Sequence, residues 1–267
     1  MSGVINPMRF VQLVLVALLA VVPAAAESLP RMTWTVAGTA REALVHLPTA
    51  MPPEGAPLVF VFHGHGGSMR QAARSMPLHE KWPEAVVVYP QGLPTPGQLT
   101  DKAGRRAGWQ AHAGDQADRD LAFFDAMFAE LATQHRIDRR RVYATGHSNG
   151  GGFTYLLWAE RGERLAALAP SAALLSRGFQ KFNPKPLLHL ASREDKLVKF
   201  AWQERMLRFV LRLNGCGTLR PDTLGYTSYP SSTGHEVAVY LHSGGHAYPS
   251  DVAPGLIVKF FQSQALP

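Results

Sequence analysis

The chain has 267 residues, 46% of them hydrophobic and 18% charged. That composition excludes a disordered, collagenous or coiled-coil protein, and a chain of this size can bury roughly three quarters of its unfolded surface without help from a disulfide or metal. Twenty-seven Lys and Arg against 20 Asp and Glu give a net charge of +7, but the one tight basic run, Arg139-Arg140-Arg141, precedes an apolar strand. It reads as a solvated loop rather than a nucleic-acid surface.

The N-terminus reads as an export signal. Residues 1–9 carry one positive charge, residues 10–22 are apolar apart from Gln12, and Pro23 followed by Ala24-Ala25-Ala26 supplies a small-residue cleavage pattern. The apolar run is too short to span a bilayer, which takes about 20 residues. A signal peptide is therefore expected over 1–26, with cleavage after Ala26. Met8 offers an alternative start. Residues 27–267 are expected to form one catalytic domain, secreted or periplasmic, with no membrane span. The single cysteine, Cys216, cannot form an intramolecular disulfide and reads as a small buried hydrophobe.

Residues 32–36 and 42–47 read as two strands around a turn at Gly38. Residues 58–62 and 85–89 are continuous apolar runs, as in strands buried on both faces of a parallel sheet. Residues 92–116 make a connection too long to be ordinary, which points to function. Residues 120–135 have helical spacing at Leu121, Phe124, Met127, Phe128 and Leu131. Further on, strands are expected at 141–145, 165–169, 186–191 and 235–241, and helices at 149–161, 200–213 and 252–261. This alternation predicts an α/β protein with a doubly wound, mostly parallel sheet and helices on both faces.

Gly146-His147-Ser148-Asn149-Gly150, followed by Gly151-Gly152, falls between a strand and a helix. G-x-S-x-G in that setting is the nucleophile elbow of the α/β-hydrolase fold. The glycines let neighbouring backbone pack close, and Ser148 is the candidate nucleophile at a helix N-terminus. A serine hydroxyl needs a base, and the base an orienting acid. In this fold they follow in the order Ser, acid, His. Asp195 lies just past the strand at 186–191, with Glu194 as its rival, and His246 lies in the Gly244-Gly245 loop after the last strand. His189, His235 and His242 lie on or beside strands and read as packing or surface residues. His63-Gly64-His65-Gly66-Gly67 follows the first central strand, where this fold places one oxyanion donor. The candidate donors are the amides of His65, with Gly66 as rival, and of Asn149. His63-x-His65 lacks the acid or cysteine cluster of a metal site, and no phosphate loop or dinucleotide fingerprint is present, so neither metal nor cofactor is expected.

Several motifs together carry a resemblance. They are FHGHGGS at 62–68, Tyr89-Pro90-Gln91-Gly92, Gly108-Trp109, Asp120 with Phe123, DRRRVYATGHSN at 138–149 with Gly150-Gly151, Asn214-Gly215-Cys216, and GGHAYP at 244–249. The chain resembles the secreted polyhydroxybutyrate depolymerase-like and feruloyl-esterase-like α/β-hydrolases, which include acetyl xylan esterases. The resemblance implies ester hydrolysis without a cofactor, through Ser148, His246 and Asp195. It also implies that Trp109 lies near the active-site mouth as a substrate-binding wall. Expected partners are ester substrates: small esters, hydroxyalkanoate oligomers or esterified polysaccharide. The chain departs from many relatives in its lone cysteine, in showing no linker or appended binding module, and in lacking a proline near Lys199. A serine peptidase of the same fold would show a similar elbow but usually a further domain; a non-catalytic binding protein would lack a member of the triad.

Overall fold

The computed structural model describes Gly3, residues 29–220 and residues 223–267. Apart from Gly3, the expected export signal lies outside the described residues.

The chain opens with a hairpin of β1 (Arg31–Val36) and β2 (Thr39–His46). Both turn residues, Ala37 and Gly38, have positive φ, which suits the twist of a two-residue hairpin. Next come β3 (Ala56–Phe62), the short helices α1 (Met69–Ser75) and α2 (Leu78–Lys81), and β4 (Val86–Pro90). The long connection that follows holds a small hairpin, β5 (Leu93–Pro94) with β6 (Ala107–Gly108). Then α3 (Arg119–Gln134), β7 (Ile137–His147), α4 (Asn149–Arg161), β8 (Ala167–Ser171), β9 (Leu187–Ser192), α5 (Phe200–Leu213), β10 (Gly225–Tyr229), β11 (Val237–His242) and α6 (Ala253–Gln262) complete the order.

Nine strands make one sheet in the order β1-β2-β4-β3-β7-β8-β9-β11-β10. The stretch from β4 to β11 is parallel, and the strands at both edges are antiparallel. The predicted apolar runs are continuous because each face is covered. Along β3, Leu58, Phe60 and Phe62 pack in the layer that contains α3, α4 and α5. The alternate residues Val59 and Val61 pack with α1, α2 and α6. Period-two alternation thus serves two cores at once.

Three differences from the sequence reading have physical causes. Arg139-Arg140-Arg141 is not a loop but part of the outer half of β7, where Arg139 and Arg140 face solvent. Arg141 is tied to Asp138 at 2.7 Å. Helix α1 is capped by Ser68, whose Oγ accepts from the Gln71 N–H at 3.2 Å; serine three residues before glutamine is a start signal. The strand at β8 lies two residues later than expected, because the chain first turns through residues 162–164.

One buried ion pair braces the edge of the sheet. Arg41 on β2 donates to Asp120 Oδ1 at 2.8 Å, with side chains 1% and 0% exposed. The guanidinium also lies 4.2 Å over the Phe123 ring, and Asp120 Oδ2 accepts from the Gln110 N–H. From β3 the chain winds outward to β4; from β7 it winds the other way. Ligand crevices form at the carboxyl ends of strands flanking such a reversal, here between Phe62 and His147.

Candidate active site

Strand β7 ends at His147, and the chain turns at once into α4. Ser148 sits on that turn with φ 55 and ψ −118. A non-glycine residue there stores about 1–3 kcal/mol of strain. Its surroundings hold it in place. The Ser148 N–H donates to Ser171 O at 2.9 Å. A Cβ on Gly146 would lie 2.5 Å from Gly150 O, and one on Gly150 would collide with Phe62 O and lie 2.5 Å from His63 O. Only glycine lets β3, β7 and α4 approach this closely.

Ser148 Oγ lies 2.9 Å from His246 Nε2. His246 Nδ1 lies 2.8 Å from Asp195 Oδ2. A carboxylate only accepts, so Nδ1 carries the proton and Nε2 accepts from the Ser148 hydroxyl. Asp195 is buried, and its Oδ1 accepts from the Leu197 and Val198 N–H groups, both at 2.9 Å. Gly245, at φ 62, lets the His246 loop turn back over β9, where its N–H donates to Ser192 Oγ at 3.1 Å. The rival acid, Glu194, accepts instead from Ser192 Oγ at 3.1 Å. His147 packs its ring 5.0 Å from that of His246, and burial pushes its pKa down to about 3. It is a neutral neighbour, not a second base.

On the facing loop, the Gly66 N–H donates to Ala107 O at 2.6 Å and the Gly67 N–H to Gly64 O at 3.0 Å. Among the described residues, the His65 and Asn149 amides have no protein acceptor. Asn149 is held through its side chain: Oδ1 accepts from the Trp109 N–H at 2.7 Å, and Nδ2 donates to Trp109 O at 3.0 Å. His65 is held by Asp101, with Nε2 donating to Oδ2 at 3.1 Å. His63 bridges two loops. Its Nδ1 donates to Gly64 O at 2.7 Å, and its Nε2 accepts from the Gly92 N–H at 3.0 Å. Burial lowers its pKa to about 4, so it stays neutral. Among the described residues no cluster of three or more metal-ligating side chains occurs.

Trp109 corrects an expectation. It does not wall the mouth but lies in the core, 1% exposed. Its indole N–H donates to His63 O at 2.9 Å, and its ring stacks on Phe153 of α4 with centroids 5.4 Å apart. With both its polar and apolar needs met inside, it braces the two loops rather than facing substrate. Cys216 is half-buried and packs against the core.

Ser148, His246, His65 and Asn149 open on a cleft of about 720 Å³. Its apolar lining comes from Met76, Leu99, Leu174, Leu197 and Trp202. Leu99 and Leu197 are 47% and 39% exposed, so both present apolar surface at the rim. Leu99 belongs to the long connection singled out in the sequence. Leu197 and Trp202 flank the acid loop, and nothing in their spacing marks them as cleft residues.

No family model matches the chain. It is 29% identical over 224 residues to the putative esterase NocK of Nocardia uniformis subsp. tsuyamanensis, covering 79% of this chain and 58% of that relative. The chain thus spans little more than half of NocK. It is 25% identical over 229 residues to the probable feruloyl esterase C of Aspergillus clavatus, covering 77% of each. Among solved structures, a ferulic acid esterase superposes with a TM-score of 0.60 at 14% identity, over 87% of this chain and 96% of that one. The fold is that of the α/β-hydrolases, and the curated sequence relatives are proteins named as esterases, feruloyl and acetylxylan esterases among them.

Proposed function

We propose that this protein is an exported serine esterase that hydrolyses carboxylic esters through an acyl-enzyme. The observation that carries this reading is His246, which bridges Ser148 Oγ and Asp195 Oδ2 at 2.9 and 2.8 Å. His246 Nε2 takes the Ser148 proton as Oγ attacks the ester carbonyl. Asp195 holds the Nδ1–H tautomer and stabilises the imidazolium. The His65 and Asn149 amides receive the oxyanion, and the leaving alcohol takes the proton from His246. Water then adds to the acyl-enzyme by the same base and releases the acid.

The exposed side chains of Leu99 and Leu197, with the half-buried Trp202, suit an acyl or aryl group on a larger ester. The names of the sequence relatives favour esterified polysaccharide as the physiological class, ahead of small esters and of hydroxyalkanoate oligomers. Export rests on the N-terminal sequence pattern, with residues 1–26 removed and 27–267 acting as one catalytic domain. Among the described residues no helix is long and apolar enough to cross a membrane.

The test is a substrate panel of p-nitrophenyl esters, methyl ferulate, acetylated xylan and hydroxybutyrate oligomers, with Ser148→Ala as control. Wild-type protein should turn over esters, and Ser148→Ala should lose roughly 10⁴-fold or more in kcat/KM while keeping its fold. Undiminished turnover by Ser148→Ala would defeat the mechanism. Preference for hydroxybutyrate oligomers over ferulate and acetylxylan would move the substrate class to polyesters. A secreted chain whose mass starts at Glu27 is the expected result for export.

A further inference from the structure

Behind the acid lies a row of buried polar side chains that the reaction steps leave unused. Tyr155 on α4, His189 on β9 and Gln203 on α5 are all fully buried. Tyr155 Oη is 2.8 Å from His189 Nδ1, and His189 Nε2 is 3.1 Å from Gln203 Oε1. Gln203 Nε2 is 2.6 Å from Val198 O and 3.3 Å from Asp195 Oδ2, the oxygen that also receives His246.

The chemistry of the partners places every proton. Gln203 Nε2 faces a carbonyl and a carboxylate, both pure acceptors, so that atom is the amide nitrogen. Oε1 then faces His189, whose Nε2 must carry the hydrogen. His189 Nδ1 is left bare and accepts from the Tyr155 hydroxyl. All donors in the row point toward Asp195. Burial lowers the His189 pKa to about 4, which keeps the ring neutral and its tautomer fixed at working pH.

We propose that Tyr155, His189 and Gln203 are positioning residues that hold the Asp195 carboxylate in register with His246 and Ser148. This rests on the reading of Ser148, His246 and Asp195 as the catalytic triad. Helix α4 starts at the residue after Ser148 and carries Tyr155 on its second turn. The row therefore closes a ring: nucleophile, helix, tyrosine, histidine, glutamine, acid, base and back to the nucleophile. The acid cannot shift relative to the nucleophile without stretching one of its links. An apolar trio would fill the same space with no polar group to satisfy, but it would leave Asp195 Oδ2 to His246 alone.

The test compares Gln203→Met, which keeps length but cannot donate, with His189→Leu and with His189→Gln, whose amide keeps a donor and an acceptor. Tyr155→Phe, which removes one oxygen, and Ser148→Ala run alongside. The readouts are kcat and KM on a p-nitrophenyl ester and the low-field proton signal of the His246 Nδ1–H. Gln203→Met should lower kcat roughly 10–100-fold, the size seen when the hydrogen-bond partner that orients a metal ligand is removed, with KM within about twofold and the proton signal shifted. His189→Gln should recover most of what His189→Leu loses. If Gln203→Met does not fold, Tyr155→Phe carries the test, with kcat expected to fall about fivefold for one lost hydrogen bond. Wild-type kcat and an unmoved proton signal in the folded variant would overturn the proposal. Ser148→Ala separates the two failures. Turnover by that variant sinks the triad itself, whereas an inactive Ser148→Ala beside a fully active Gln203→Met leaves the triad and removes only the row behind it.

Discussion

At Ser148 the chain is held by what it leaves out. Gly146, Gly150 and Gly151 have no room for a Cβ; one on Gly151 would lie 2.7 Å from the Ala173 methyl. At Asp195 the chain is held by what it adds: two backbone N–H groups, the Gln203 amide and the His246 ring all converge on one carboxylate. A serine positioned by steric exclusion tolerates no extra atom, while a carboxylate positioned by hydrogen bonds tolerates no missing donor. The two regions should therefore fail in opposite ways.

The largest expected difference is in catalysis. Asp195→Asn keeps the shape of the acid but presents an amide to His246, which favours the wrong tautomer and should lower kcat roughly 10⁴-fold. Glu194→Gln, one residue away, should stay within about twofold, since Glu194 meets Ser192 rather than His246. Equal losses in the two variants, measured by steady-state kinetics, would reverse the assignment of the acid.

The elbow is sharpened by a pair of glycines two residues apart. Gly150→Ala drives a methyl into the carbonyls of Phe62 and His63 and should cost on the order of 4 kcal/mol or more, enough to unfold a marginal domain. A Cβ at Gly152 would make only an ordinary contact, with Leu174 O at 3.6 Å. Gly152→Ala should be neutral or stabilising by up to about 1 kcal/mol, the helix preference of alanine. Calorimetry on both checks the contrast, and similar melting temperatures would remove the steric argument.

A third contrast concerns pH. His63, His147 and His189 have folded pKa values lowered by burial to about 4, 3 and 4. Unfolding returns each toward about 6.5, so the unfolded chain binds more protons across that window. The stability they contribute is complete above pH 6.5 and is lost as pH falls toward 4. Each ring should contribute on the order of 1–3 kcal/mol to the drop, or about 2–4 °C in melting temperature per kcal/mol. His189→Gln should flatten the pH dependence by about one proton.

The parallel sheet was legible because its strands are apolar on both faces, and helices α4 and α5 because glycines and 3.6-residue spacing bound them. Ser148, Asp195 and His246 could be named because this fold places its reactive side chains just past strand ends, and the structure brings those three within hydrogen-bond reach. Trp109 was misread since no local pattern tells whether an indole N–H finds a buried carbonyl, here His63 O, 46 residues away. Tyr155, His189 and Gln203 were silent for the same reason: each looks like an ordinary interior residue until α4, β9 and α5 cross. Asp120 and Phe123 stood out only by resemblance, and the partner that explains both, Arg41, lies 79 residues before Asp120.

The parallel order of the sheet has a further consequence for how the protein could change over time. Ser148, Asp195 and His246 follow three different strands, β7, β9 and β11, all past the carboxyl ends. The spacing of those strand ends is governed by the lateral repeat of the sheet, about 4.8 Å per strand, rather than by the length of the segments that join the strands. Those segments cross to the opposite end of the sheet before returning. Residues inserted there, as between α5 and β11, leave the ruler unaltered, so lineages can lengthen or trade these segments while the reactive atoms stay in step.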